Sequence, residues 1–242
     1  MADSSINDLG QPLGRPVANW TTALRPTPQP LVGRTCRLEP LDVARHGEGL
    51  WEAASQDKDG SSWTYLPYGP HPTFEAYREH LLAQQASSDP HFYAVIEQGS
   101  GQAVGVASFM RIFPEMGSLE IGHIYFSPRL QRTTAATEAL ALMLTEAFEQ
   151  LGYRRVEWKC NSLNENSKAA ALRLGFSYEG LFRQTAVVKG RNRDTAWYSI
   201  IDSEWPALAD GFRRWLDPTN FDQQGQQRRS LRQQREVSPS ES

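Results

Sequence analysis

The stretch from residue 118 to 160 limits the possible folds more than any other part of the chain. It opens on S-L-E-I-G-H-I-Y-F, whose β-branched and aromatic content reads as a strand. After Pro128 the period changes: Leu140, Met143, Leu144, Ala147, Phe148 and Leu151 fall at i, i+3, i+4, i+7, i+8 and i+11, one stripe of a helix that Gly152 ends. Residues 154–160 then read as a strand again. A strand, a helix and a strand in that order imply a βαβ crossover, hence a parallel pair inside a sheet covered by helices.

The flanking segments extend the pattern. Residues 35–41 read as a strand, Asp42 starts a helix carrying Ala44, Leu50 and Ala53, and a second helix covers 73–86. Between them, 61–72 is dense in aromatics, Pro and Gly and reads as a loop. Strands follow at 91–97 and 103–112, with Gly99, Ser100 and Gly101 supplying hairpin chemistry. A helix over 164–174 ends at Gly175, strands at 176–189 and 195–201 flank a polar turn, and a last helix covers 203–215. The expected class is α/β (α+β): a mixed central sheet of about seven strands with helices on both faces.

Residues 1–30 read as an arm with Val17, Trp20 and Leu24 as anchors, and 31–216 as the domain. Residues 217–242, rich in Gln, Arg and Ser, are expected to be disordered, because so few large apolar groups cannot offset the entropy of ordering. A mean hydropathy of -0.55 fits such a tail. The net charge of -3 gives no global attraction to nucleic acid or to a membrane surface; a local basic contact through Arg228, Arg229, Arg232 and Arg235 is the alternative to a solvated tail. No apolar run is long enough to span a bilayer. Cys36 and Cys160 stand alone, without metal-ligand spacing and with no secretory signal before them, so reduced thiols, no metal and a cytoplasmic location are expected.

The loop Gln131 to Ala136, Q-R-T-T-A-A, runs straight into the striped helix, so its amides and the helix dipole face whatever binds there. Strand, Q-x-x-x-x-A loop and helix resemble the GNAT acetyltransferases, and Thr137-Glu138-Ala139 resembles the A-T-E-A run of their RimJ/RimL type. W-K-C-N-S-L-N-E-N-S-K-A-A-A-L-R-L-G-F from Trp158 to Phe176 is similar to the family's second coenzyme segment, and K-G-R-N-R-D at 189–194 to its last hairpin. Thr134 stands where the family has a glycine, and Arg132 where relatives often have another; a residue with a Cβ there must keep αR-like dihedrals or send the backbone by another path.

The resemblance implies a GNAT fold and transfer of acetyl from acetyl-CoA to a primary amine, a protein N-terminus or a small molecule. It implies that Gln131, Arg132, Thr133, Thr134, Ala135, Ala136 and Asn164 hold the coenzyme, and that the Ile124 N–H polarises the thioester carbonyl. An amine attacks only when unprotonated, so a base is needed. Glu120 matches in spacing, the more so because Ala186 stands where ribosomal-type relatives carry a glutamate. Ser167 matches the acid for the leaving thiolate, with helix capping as its alternative and Tyr198 as a second candidate. Trp63, Tyr65 and Tyr68 are expected along the amine pocket. A homodimer is compatible with the resemblance. A non-catalytic acyl-CoA-binding module is the alternative reading, motivated by the missing glycine.

Overall fold

Capping side chains set where the helices begin. In the computed structural model, which describes residues 5–236, Asp42 accepts from the Ala44 amide, Thr73 from Ala76, Thr133 from Ala136 and Asn164 from Ser167. Each satisfies a donor that the first helical turn leaves without a partner. The elements in chain order are β1 (Ser5–Ile6), β2 (Pro12–Leu13), β3 (Leu31–Val32), β4 (Cys36–Pro40), α1 (Val43–Ala54), α2 (Phe74–Gln85), β5 (His91–Glu97), β6 (Ala103–Phe113) and β7 (Ser118–Phe126). Then come α3 (Thr134–Thr145), β8 (Arg155–Asn161), α4 (Glu165–Leu174), β9 (Ser177–Val188), β10 (Arg191–Ile201), α5 (Trp205–Leu216) and α6 (Leu231–Glu236).

β1 and β2 form a small exposed hairpin; the other strands make one eight-stranded sheet in the order β3-β4-β5-β6-β7-β8-β10-β9. The eighth is β3, two residues whose Leu31 pairs with Leu38, too short to read as a strand from sequence. Among the described strands only β7 and β8 run parallel, as the crossover requires. Alternation along β5 splits the core: Tyr93 and Val95 pack beneath α3 and α5, whereas Phe92, Ala94 and Ile96 join Leu50, Tyr77 and Leu81 of α1 and α2. Met143, Leu144 and Ala147 on the α3 stripe are fully buried, and the helix widens into a π turn at Glu146–Gln150 before Gly152, φ 76°, stops it.

Two expectations at the ends are corrected. In the arm, Val17 and Leu24 stay exposed; Ala23 is the buried anchor, and the tie is backbone, Ala23 N–H to Pro114 O and Leu24 N–H to Leu151 O at 2.8 Å. Trp20 leans on Gly117, with Arg154 over its ring. In the tail, the chain from Pro218 to Glu236 packs on α5 instead of being disordered. One buried leucine, Leu231, and a polar network suffice: Asn220 donates to Trp215 O and Arg229 O, and Arg214 donates to Gln234 O. Residues 237–242 and 1–4 lie outside the described residues.

Candidate active site

The parallel ladder between β7 and β8 has three rungs, Ser118 with Arg155, Leu119 with Val156 and Glu120 with Glu157, and then stops. Beyond it β7 stays with β6, and β8 stays with β10 as far as Asn161, so the sheet splits open after Glu120. A bulge helps: Val106 faces Tyr125 and Ser108 faces Gly122, so His123 and Ile124 together oppose Ala107. His123 takes φ 49° there, and neither it nor Ile124 has a ladder partner on β6 or β8. The Ile124 backbone therefore borders the split.

At the mouth of the split lies the α3 N-terminus. The left-handed residue of the loop is Arg132, φ 61°, not Thr134, which is the first residue of α3 and keeps helical dihedrals. The missing glycine is thus accommodated by placing the backbone strain two residues earlier, at an exposed residue. Thr133 is the N-cap; its hydroxyl donates to Leu130 O and accepts from the Ala136 amide, so that amide is already satisfied within the fold. The amides of Arg132, Thr134 and Ala135 make no hydrogen bond among the described residues. Gln131 turns its side chain back, donating to Phe126 O at 2.7 Å and Ser62 Oγ at 3.0 Å. Across the split, Asn164 caps α4 through the Ser167 amide.

Glu120 is buried on the last rung. Its Oε2 accepts from Arg111 Nη1 at 2.5 Å and from Lys159 Nζ at 3.0 Å. Lys159 is itself buried, bonds Glu157 at 2.6 Å and lies 3.7 Å over the Trp197 ring. Oε1 has no partner among the described residues and points along the strand, 3.3 Å from where a Cβ on Gly122 would sit. Ser167 Oγ accepts from Trp158 Nε1 at 3.0 Å, which leaves its own hydrogen free to donate. Tyr198 of β10, paired with Trp158 of β8, keeps its proton because burial pushes its pKa up. Burial likewise raises the Cys160 thiol, so the thiolate a covalent route would need is disfavoured.

The 61–72 loop reaches the split from the α1–α2 side. Tyr65 donates to Leu163 O at 3.0 Å, and Tyr68 bonds His123 Nδ1 at 3.1 Å. Trp63 behaves differently: it is buried, stacked on Tyr125 of β7 at 4.0 Å, and belongs to the core. Arg111, Lys159 and His123's bulge were not legible as site features. A lysine flanked by Trp158 and Cys160 in a buried strand was the available signal.

A mixed sheet split at its one parallel pair, with unpaired amides at the following helix, defines an acyl-transferring fold of the acetyltransferase class. Residues 37–177 match the acetyltransferase (GNAT) domain model. A GCN5-related N-acetyltransferase from Brucella melitensis is 45% identical, with a TM-score of 0.90 over 91% of this chain and 100% of that one. An N-acetyltransferase of Bacillus subtilis, provisionally named for ribosomal substrates, is 28% identical over 69% of this chain and 90% of its own length. The ribosomal-protein-serine acetyltransferase of Escherichia coli is 32% identical over 43% of this chain and 58% of its own. The chain belongs to the GNAT acetyltransferase family and resembles its RimJ/RimL type.

Proposed function

We propose that the protein transfers acetyl from acetyl-CoA to a primary amine by direct attack in a ternary complex. The observation that carries this is the set of free amides at Arg132, Thr134 and Ala135 on a helix N-terminus beside an open sheet. Amides pointing out of a positive dipole end suit a diphosphate, and the Arg132 guanidinium and Thr134 hydroxyl can add charge-assisted bonds. The pantetheine arm would then run into the split, with the thioester carbonyl at the Ile124 N–H.

The amine enters from the side of Tyr65 and Tyr68. Glu120, through Oε1 directly or through a water, takes the proton from the attacking nitrogen; the new C–N bond forms as the C–S bond breaks; Ser167, oriented by Trp158, returns a proton to the thiolate. Both cations on Oε2 fix the carboxylate's orientation. A protein N-terminus and a small amine are both compatible acceptors; the Escherichia coli relative is named for a ribosomal-protein substrate. Two buried free thiols, Cys36 and Cys160, suit a reducing cytoplasm. No helix of the described residues is long and apolar enough to cross a membrane.

The test is calorimetry with acetyl-CoA, joined to thiol release over a panel of peptides and amines. Saturable binding with amine-dependent release is expected. Binding without release from any amine would leave a module that only holds acyl-CoA, and absence of binding would remove both readings.

A further inference from the structure

A second pocket lies on the α1–α2 side of the sheet, where Trp63 of its wall stacks on Tyr125 of β7. A pocket of about 100 Å³ is lined by Trp51, Trp63, His71, Tyr77 and Asp57, with small neighbours completing the wall. The rings do not stack in parallel. Trp51 and Tyr77 meet at 43° with centroids 6.0 Å apart, Trp63 and Tyr77 at 87° and 5.9 Å, Trp63 and His71 at 87° and 5.5 Å. Trp63 turns its edge to this space, since Tyr125 stacks on one face and the Gly69 backbone lies against the ring; Trp51 and Tyr77 are the walls left to offer a face, which carries negative potential. Asp57 adds a carboxylate; of its oxygens, Oδ2 accepts from the Ser62 amide at 3.1 Å.

One polar atom in this wall is unexplained. His71 Nε2 is buried and has no hydrogen-bond partner, a state that costs free energy unless something fills it. Burial and the neighbouring Lys189 depress the His71 pKa, so the ring is neutral and sets no positive charge against a cation. Lys189 does not occupy the pocket; its ammonium donates to Trp63 O at 2.8 Å. Inclined aromatic walls, a carboxylate and a neutral imidazole together match one chemistry. We propose that this pocket is an aromatic cage that binds an alkylammonium group. An apolar cavity of roughly 150 Å³ is enough for benzene, so this one takes a single methylated or primary ammonium head.

The inference does not depend on acetyl transfer, and its test uses no coenzyme. Choline and its uncharged isostere 3,3-dimethyl-1-butanol are titrated into the full-length protein by calorimetry. Choline is expected to bind at least tenfold more tightly than the alcohol. Trp51→Leu and Asp57→Asn are each expected to weaken choline binding at least fivefold, with near-native circular dichroism. Asp57→Asn carries the test if Trp51→Leu does not fold. A blocked peptide with one trimethylated lysine distinguishes a protein-borne cation, for which it binds more tightly than choline, from a free one. Equal affinity for choline and the alcohol overturns the proposal, as does absence of choline binding or full affinity in Asp57→Asn. Choline binding without acetyl transfer to any amine would leave the cage standing and remove the proposed activity.

Discussion

Glu120 divides its two oxygens between tasks: Oε2 is held by Arg111 and Lys159, and Oε1 faces Gly122. Glu120→Gln keeps the shape and removes the base, so kcat should fall by about 10² to 10⁴, most at pH values where the amine is charged. An unchanged pH-rate profile would remove Glu120 from the role. The same substitution leaves two cations facing a neutral amide, and a loss of about 1–3 kcal/mol in unfolding free energy should accompany it. Arg132 separates backbone from side chain. Glycine takes φ 61° without the steric cost an arginine bears, so Arg132→Gly should leave stability level or raise it by up to about 1 kcal/mol. If the guanidinium bonds the diphosphate, KM for acetyl-CoA rises roughly tenfold in that variant, since a charge-assisted bond is worth about 1.5–3 kcal/mol. A fall in stability would show that the loop needs the arginine for its own fold. Thr134 and Arg132 both stand where relatives carry glycine, and which of them takes the left-handed turn needs the fold: a helix can begin on threonine without strain, and the turn falls on Arg132.

At the scale of elements, α3 is tied to the sheet by a carboxylate. Glu138 accepts from the amides of Arg34 at 2.9 Å, Thr35 at 2.6 Å and Cys36 at 3.1 Å, and from the Thr35 hydroxyl. Gly33 lies so close that a Cβ on it would sit 2.6 Å from the Glu138 carboxyl carbon. Glu138→Ala leaves three amides without a partner in a part-buried turn and should cost about 2–5 kcal/mol, read as a lower urea midpoint. A cost under about 0.5 kcal/mol would mean that water replaces the carboxylate there. The run Thr137-Glu138-Ala139 was legible only as a family resemblance; that its glutamate clasps a loop a hundred residues away needs the fold. Element positions were otherwise readable where periodicity was strong: α2 with its Thr73 cap, β5, β7 and the α4 stop at Gly175 stand where the residues put them. The split after Glu120 was not readable, because pairing between β7 and β8 ends without any change of pattern in either strand. Nor was the docking of α6, since composition weighs apolar residues and the contact is mostly polar.

The whole molecule carries its histidines in one electrostatic condition. All five, His46, His71, His80, His91 and His123, have depressed pKa values, each first because burial disfavours the charged ring. His80 is lowered furthest, from 6.5 to about 4, by burial and then by the charges of His71 and His123. His71 and His80 stack at 4.8 Å, and Tyr68 stands between His80 and His123. The unfolded chain therefore binds protons first as pH falls, and acid favours unfolding. Stability is fully present above about pH 6.5 and is lost as pH drops through the folded-state values, down to about 4 at His80. Depressed carboxylates such as Glu39, whose burial is outweighed by Arg37, His46 and Arg45, act in the same direction but only below their ordinary 4.5. Glu146, raised by burial, opposes this, gaining stability on protonation over part of the range. The loss above pH 4.5 is thus expected to follow the histidines, and urea midpoints should decline steadily from about pH 6.5 downward. His80→Phe, which keeps a ring beside Tyr68, should flatten that decline without touching the stability at neutral pH. A decline of the same slope in His80→Phe would transfer the effect to the other four rings, and no decline in the native protein would mean that water reaches the cluster and supplies the solvation its burial removes.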